Sequence, residues 1–266
     1  MADMRSSRRS ILTSFGLLAL LLALVTALVI VSPPAPWDKA DAIGYAVCHR
    51  IPSHSFEIDG RPLPLCARCT GMYLGALVSL AVLLPLRRTG FPRKSLLAIL
   101  AVLVLAVGLD GLNSYLNILP TPRNWYTPLN WLRLATGSGL GMSIGIVLTA
   151  AFGQVVWSNP EKQPALDLTR LLILTGALAL IVLAMLSGNP ALGYTLAILS
   201  VLGVILSLSL IYTALWVMLL KRDNTYPSWR SLWLMLILGL DTALAQILIF
   251  DLVRFGITGT WSGFFG

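Results

Sequence analysis

The sequence predicts an all-α fold, a polytopic transmembrane helical bundle of about seven spans, and three observations predict it. First, 57% of the 266 residues are hydrophobic and only 11% are charged. Soluble domains carry roughly 25% charged residues, so too few polar groups are present to coat a water-facing surface. Second, the apolar residues come in blocks long enough to cross a bilayer, which takes about 20 residues per helix. Third, continuous runs such as Leu17 to Val31 lack the alternation of a membrane barrel. Lipid cannot hydrogen-bond to a backbone, so these blocks must be helices.

The first block, Ile11 to Val31, follows Arg5, Arg8 and Arg9 and ends in Ser-Pro-Pro-Ala-Pro-Trp. A cleaved signal peptide has a shorter apolar core and a small-residue cleavage site, so residues 1–32 read as a transmembrane anchor. Residues 33–70 read as an extracytoplasmic loop. Spans follow at Gly71–Leu86, Leu96–Leu119 and Trp131–Trp157, making a three-span core within residues 71–157. Three more, at Leu171–Leu186, Ala191–Leu220 and Ser231–Leu252, make an appended bundle within residues 158–266.

Placing the N-terminus in the cytoplasm puts twelve of the nineteen basic residues inside. Arg87, Arg88, Arg93, Lys94, Lys162, Arg170, Lys221, Arg222 and Arg230 join the three at the start, as the positive-inside rule expects. Lys39, Arg50, Arg61, Arg68, Arg123, Arg133 and Arg254 fall outside, and so does the C-terminus, Trp261-Ser-Gly-Phe-Phe-Gly. The predicted location is the cell inner (plasma) membrane, with the lipid bilayer as partner. The net charge of +8 flanks apolar segments and forms no basic face with interleaved aromatics, which argues against nucleic acid. Trp125, Trp131 and Trp261 fit anchoring at a membrane interface.

Two glycine series predict close helix packing. Gly71 and Gly75 continue to Ser79, and Gly137, Gly141 and Gly145 repeat the same spacing. Small residues four apart let backbones approach.

Every cysteine and histidine lies in one window, from Cys48 to Cys69. The order is Cys48-His49, then His54, then Cys66-Ala-Arg-Cys69. Between them, Pro52, Asp59-Gly60, Pro62 and Pro64 predict a segment that turns back on itself, bringing Cys48-His49 towards the Cys66/Cys69 pair. A Cys-x-x-Cys at a helix start sets two sulfurs on one face, where the helix N-terminus favours thiolate. With Cys48 as third sulfur and His49 as nitrogen (His54 as alternative ligand), the set is the Cys₃His of tetrahedral zinc sites. Zinc is the default metal; iron or an iron–sulfur cluster fits less well because the spacing matches no familiar ligand pattern. Haem attachment through Cys-x-x-Cys-His is excluded by Thr70. Two other readings stay open: a thiol–disulfide oxidoreductase working with quinone in an oxidising compartment, and a structural disulfide with one spare thiol.

The window also carries a resemblance. Cys48-His49-Arg50, Ser55-Phe56, Gly60, Pro64-Leu65-Cys66-Ala67-Arg68-Cys69-Thr70-Gly71 and Tyr73-Leu74-Gly75 resemble the DUF2085 family of prokaryotic membrane proteins. Asp110-Gly111 with Asn113, and Asn130 with Arg133, Thr136 and Gly137, are similar to its second signature. The resemblance spans roughly Cys48 to Gly145. It implies which residues matter and supplies no activity.

Ionisable groups inside a bilayer are costly enough to need a reason. Asp110, Asn113 and Asn117 share one face of the third span, and Arg133 and Thr136 begin the fourth at the same level. The expected arrangement is an Asp110–Arg133 pair, with Asn113, Asn130 and Thr136 completing a polar pocket beneath the cysteines. That pocket either orients metal ligands or only locks helices together. Asp241, Gln246 and Asp251 lie on the last span; Asp241, near mid-membrane, is expected to bond to a neighbouring helix or to serve a proton or cation path.

No Walker loop, Gly-rich nucleotide fingerprint, His-x-x-x-His pair or Gly-x-Ser-x-Gly elbow is present, which removes those enzyme classes. A remaining rival is a non-catalytic subunit of a larger membrane complex, docking a partner through the outer loop.

Overall fold

The computed structural model describes residues 2–119 and 123–261. Residues 120–122, between the predicted third and fourth spans, and residues 262–266 of the expected exterior tail lie outside the described residues. The architecture is all-α, with α1 (Ala2–Val31), α2 (Pro36–Val47), α3 (Ala67–Leu83), α4 (Lys94–Ile118), α5 (Asn130–Val156), α6 (Leu168–Leu186), α7 (Pro190–Leu219) and α8 (Trp229–Thr258). Among the described residues, seven helices are long and apolar enough to cross a membrane: all but α2, with the α3 span extended to Leu86 by a turn of 3₁₀ helix.

The spans alternate in direction, so the bundle has two ends. At one lie Cys48, Cys66 and the starts of α3, α5 and α7. At the other, the short strand β3 (Arg88–Gly90) pairs in parallel with β4 (Glu161–Pro164); numbering follows the chain after the hairpin strands β1 (Glu57–Ile58) and β2 (Arg61–Pro62). Arg88 there reaches Glu161 at 3.7 Å and Asp167 at 3.9 Å. Arg87, Arg88, Arg93, Lys94, Lys162, Arg170, Lys221, Arg222 and Arg230, assigned to one side from sequence, lie in or next to the segments at this end.

The two glycine series meet each other. α3 and α5 run parallel, and a Cβ on Gly71 would strike the Leu134 carbonyl, one on Gly75 the Ser138 carbonyl, and one on Gly141 the Met72 carbonyl. These glycines remove the side chains that would hold the two backbones apart. Because the helices are parallel, both N-termini arrive at the cysteine end together.

Around this pair, α4 packs on α5, and α7 packs on both α3 and α5. α8 then packs on α7, and α1 rests on α8 and α2. One apolar cluster joins Leu80 of α3 and Phe152 of α5 to Leu210 of α7 and Leu232 of α8, so the later spans share a core with the earlier ones. Lys39 of α2 donates to the carbonyls of Val29 at 2.6 Å and Ser32 at 3.1 Å, satisfying orphan acceptors at the end of α1.

Candidate metal centre

The chain returns to bring the cysteines together, and each bend has a local cause. Arg50 adopts φ 50°, turning its N–H back towards the Cys48 sulfur at 3.5 Å. Pro52–His54 forms one turn of 3₁₀ helix. Asp59 and Gly60 then take φ 52° and 74°, the two-residue hairpin turn that Asp-Gly favours, and β1 pairs with β2 through Glu57–Pro62 and Ile58–Arg61. Gly44 of α2 lies directly under Pro64, where a Cβ would collide with the Pro64 carbonyl. That close approach sets the end of α2 beside the start of α3.

The result is three free thiols, Cys48, Cys66 and Cys69, with sulfurs within 4.8 Å of one another. Cys66 is the N-cap of α3, and Cys69 sits in its first turn, so the helix begins before the predicted Gly71. Cys48 and Cys66 are buried, and Leu65, Val204 and Leu208 pack around the trio. The Cys66 N–H also points at the Cys48 sulfur, at 3.3 Å. Two backbone donors on one sulfur stabilise negative charge there. The Cys66 and Cys69 thiols hold Cys48 far below the ordinary thiol range, while sharing a proton with Cys48 pushes Cys66 up to about 12.

His49 Nδ1 lies 4.0 Å from the Cys48 sulfur, at the edge of the trio rather than within it. His54 meets the His49 ring edge-on, with centroids 5.7 Å apart, so neither histidine joins the sulfur cluster as it stands. A zinc–sulfur bond of about 2.3 Å in tetrahedral geometry implies sulfurs about 3.8 Å apart. The trio must contract by about 1 Å or less to meet that.

The polar pocket differs from its expected wiring. Asp110 pairs with Arg68, the residue between Cys66 and Cys69, and not with Arg133. Its other oxygen accepts from the Tyr126 hydroxyl at 2.7 Å. Arg133 instead donates to Asn130 Oδ1 at 2.8 Å, and Ser114 Oγ lies 3.2 Å from Arg68 and 3.4 Å from Arg133. The physical reason is the α3–α5 contact. Gly137 admits the Arg68 backbone against α5, so Arg68 enters at the depth of Asp110 while Arg133 sits beside its own Asn130. Thr136 is not part of the pocket; its hydroxyl returns to the Leu132 carbonyl of its own helix at 2.8 Å.

Asn130 ties this network to the cysteine loop by donating to the carbonyls of Ser55 at 3.0 Å and Ser53 at 3.3 Å. Asn113 holds the incoming loop, accepting from Trp125 N at 2.7 Å and donating to the Tyr126 carbonyl at 2.9 Å. Burial and its bond to Asp110 push the Tyr126 hydroxyl up to about 12. On the opposite flank, Arg254 of α8 donates to the carbonyls of Tyr45 and, at 2.7 Å, of Cys48, and stacks on Tyr45 at 3.9 Å. Arg68, Ser114, Tyr126 and Arg254 were not singled out as pocket residues. For Arg68 the signal was available: an arginine in the first turn of a spanning helix must find a carboxylate at its own depth.

Residues 48–147 match the family described as "Predicted membrane protein (DUF2085)". An uncharacterised protein of Methanothermobacter thermautotrophicus is 34% identical over 102 residues, covering 37% of this chain and 82% of its own. The chain belongs to the DUF2085 family. A second similar protein, also uncharacterised, comes from Methanocaldococcus jannaschii and is 28% identical over 121 residues, 44% of this chain and 71% of its own. No solved structure matches. The match contains all three cysteines and the Arg68–Asp110 pair, whereas Val204, Leu208 and Arg254, which pack against or clamp the cysteine segment, lie beyond it.

Proposed function

We propose that this DUF2085 member holds a metal ion, zinc by default, between Cys48, Cys66 and Cys69 at the extracytoplasmic face of the cell inner membrane. The role of the metal is structural or substrate-handling. The observation that supports this reading is the convergence of three free thiols from two separate segments to within 4.8 Å, with two backbone N–H groups aimed at one of them. Sulfur-rich sets of this kind suit zinc. The network of Arg68, Arg133 and Asp110, half-buried at Arg68 and buried at the other two, carries one positive charge in excess, which suits a divalent ion bound by three thiolates, a complex of net charge −1. His49 is the nearest nitrogen donor for the fourth position when no outside ligand occupies it, and His54 the alternative.

A thiol-oxidoreductase reading has one observation in its favour. The sulfur of Cys48, favoured as thiolate, lies against two further thiols. Oxidation of two thiols to a disulfide would release two electrons and two protons, which a membrane quinone takes up as quinol. Elemental analysis with thiol counting on detergent-purified protein separates the two. One zinc per chain, lost in Cys66→Ser, is the result expected; no metal with a single titratable thiol would replace the metal reading by the disulfide.

A further inference from the structure

Only three side chains of ligand type converge at the candidate centre among the described residues, and a zinc ion takes four donors. Structural zinc sites are closed by four protein ligands, whereas sites that act on other molecules keep one position for them. What lies beside the trio therefore decides its chemistry.

Against Cys48 and His49 is a cleft of about 410 Å³, closed on its other side by Phe250, Val253, Arg254 and Ile257 of α8. This volume falls within the range of small-molecule sites, about 300–1,000 Å³. Its outer wall faces away from the bundle: Phe250 is 47% exposed, Val253 55% and Ile257 78%. On a spanning helix those side chains face lipid, so the cleft opens sideways into the membrane near the cysteine end. Its walls are mostly apolar, with polar groups from Tyr45, His49 and Arg254, whose guanidinium is anchored on the Cys48 carbonyl; of the three cysteines, Cys48 is the one that lines it. An apolar entrance, a fixed cation and an incomplete sulfur site together select an amphiphile with an anionic head and a hydrocarbon tail.

We infer that the fourth coordination position of the Cys48–Cys66–Cys69 centre is filled from this cleft by the anionic sulfur or oxygen head of a small membrane-borne amphiphile, with Arg254 offsetting its charge. The inference rests on the metal reading and deepens it from a structural to a substrate-handling role. His49 then lines the entrance and is not a permanent ligand. Binding of a thiol head replaces a water or vacant position by a metal–sulfur bond, and the thiol proton passes to bulk buffer.

The test uses full-length protein loaded with cobalt(II), whose visible bands and sulfur-to-cobalt charge-transfer band report the donor set. The probes are octanethiol and octanoate, with ethanethiol and acetate as short counterparts. Octanethiol is expected to intensify the charge-transfer band, and octanoate to shift the visible bands. Each should act at roughly tenfold lower concentration or less than its short counterpart, as burial of only two of its six additional methylenes would give. Val253→Trp, which fills the cleft from its lipid side, should bind cobalt as before and lose the response to the long probes by tenfold or more; Ile257→Trp serves as a second blocking variant. Because micelle partitioning is the same for all variants, it cannot produce that difference. Spectra unchanged by every probe, or a blocked variant that responds like the parent, would overturn the inference while leaving the metal centre standing. Failure to bind cobalt at all would instead overturn the metal reading itself.

Discussion

Asp110 on α4 and the pair Asp241 and Asp251 on α8 are the same residue type, buried to the same degree in spanning helices, with 3%, 2% and 1% exposure. Their surroundings differ completely. Asp110 receives Arg68 on one oxygen and Tyr126 on the other, and through Ser114 it joins Arg133 and the cysteine loop. Both oxygens of Asp241 and Asp251 take no hydrogen bond among the described residues. The contrast follows the family match, since Asp110 and its partners lie within residues 48–147 and α8 lies outside them. A membrane carboxylate wired to the cysteine segment from both sides is part of a built site. Burial alone does not make one.

The largest expected effect breaks the wired group. Asp110→Asn leaves the half-buried Arg68, whose side chain is 22% exposed, without its counter-charge, and should cost about 3 kcal/mol, the low end for a buried pair. Thermal or SDS denaturation of the purified variant measures it. Asp241→Asn removes no hydrogen bond and should cost less than about 1 kcal/mol. Equal losses at Asp110 and Asp241 would erase the comparison.

How much of this was legible in the sequence depends on the distance over which each signal acts. The seven spans follow from apolar blocks, a local property, and their order agrees with the structure, as do their ends to within four residues except in the last span, which continues past Leu252 to Thr258. Gly71, Gly75, Gly137 and Gly141 announced close packing, and only the fold shows that the two series face each other. The gathering of Cys48, Cys66 and Cys69 was readable because Asp59-Gly60 and the prolines force the intervening chain to reverse. The partner of Asp110 was not readable. Choosing between Arg68 and Arg133 requires the lateral register of α3 on α5, which no single helix pattern contains. The contribution of α8 to the site, through Arg254, was hidden for the same reason.

A second test concerns the zipper that delivers both helix N-termini. Gly141→Val places branched carbons against the Met72 backbone. Overpacking of this kind costs about 1–3 kcal/mol, and the loss should exceed that of Gly108→Val on α4, where a Cβ meets nothing within 4 Å. Asn113→Ala removes the bonds that hold Trp125 and Tyr126. It should cost about 1–2 kcal/mol and raise protease sensitivity in the loop before α5.

A pH dependence is expected as well. Burial and the nearby Arg133 push the His54 imidazole down to about 4, whereas the unfolded chain takes up that proton near 6.5. The unfolded state then binds more protons between the two values, so stability is full above about 6.5, falls as pH drops through that window and levels off below about 4. His54→Gln should flatten that part of the melting-temperature profile. An unchanged slope would assign it to other groups.

X-ray absorption at the zinc edge on purified full-length protein decides whether Cys48, Cys66 and Cys69 together hold a metal. Three sulfur scatterers at about 2.3 Å with one lighter or exogenous donor are expected, reduced to two sulfurs in Cys48→Ser. A protein without zinc, or zinc surrounded only by nitrogen and oxygen, would contradict it.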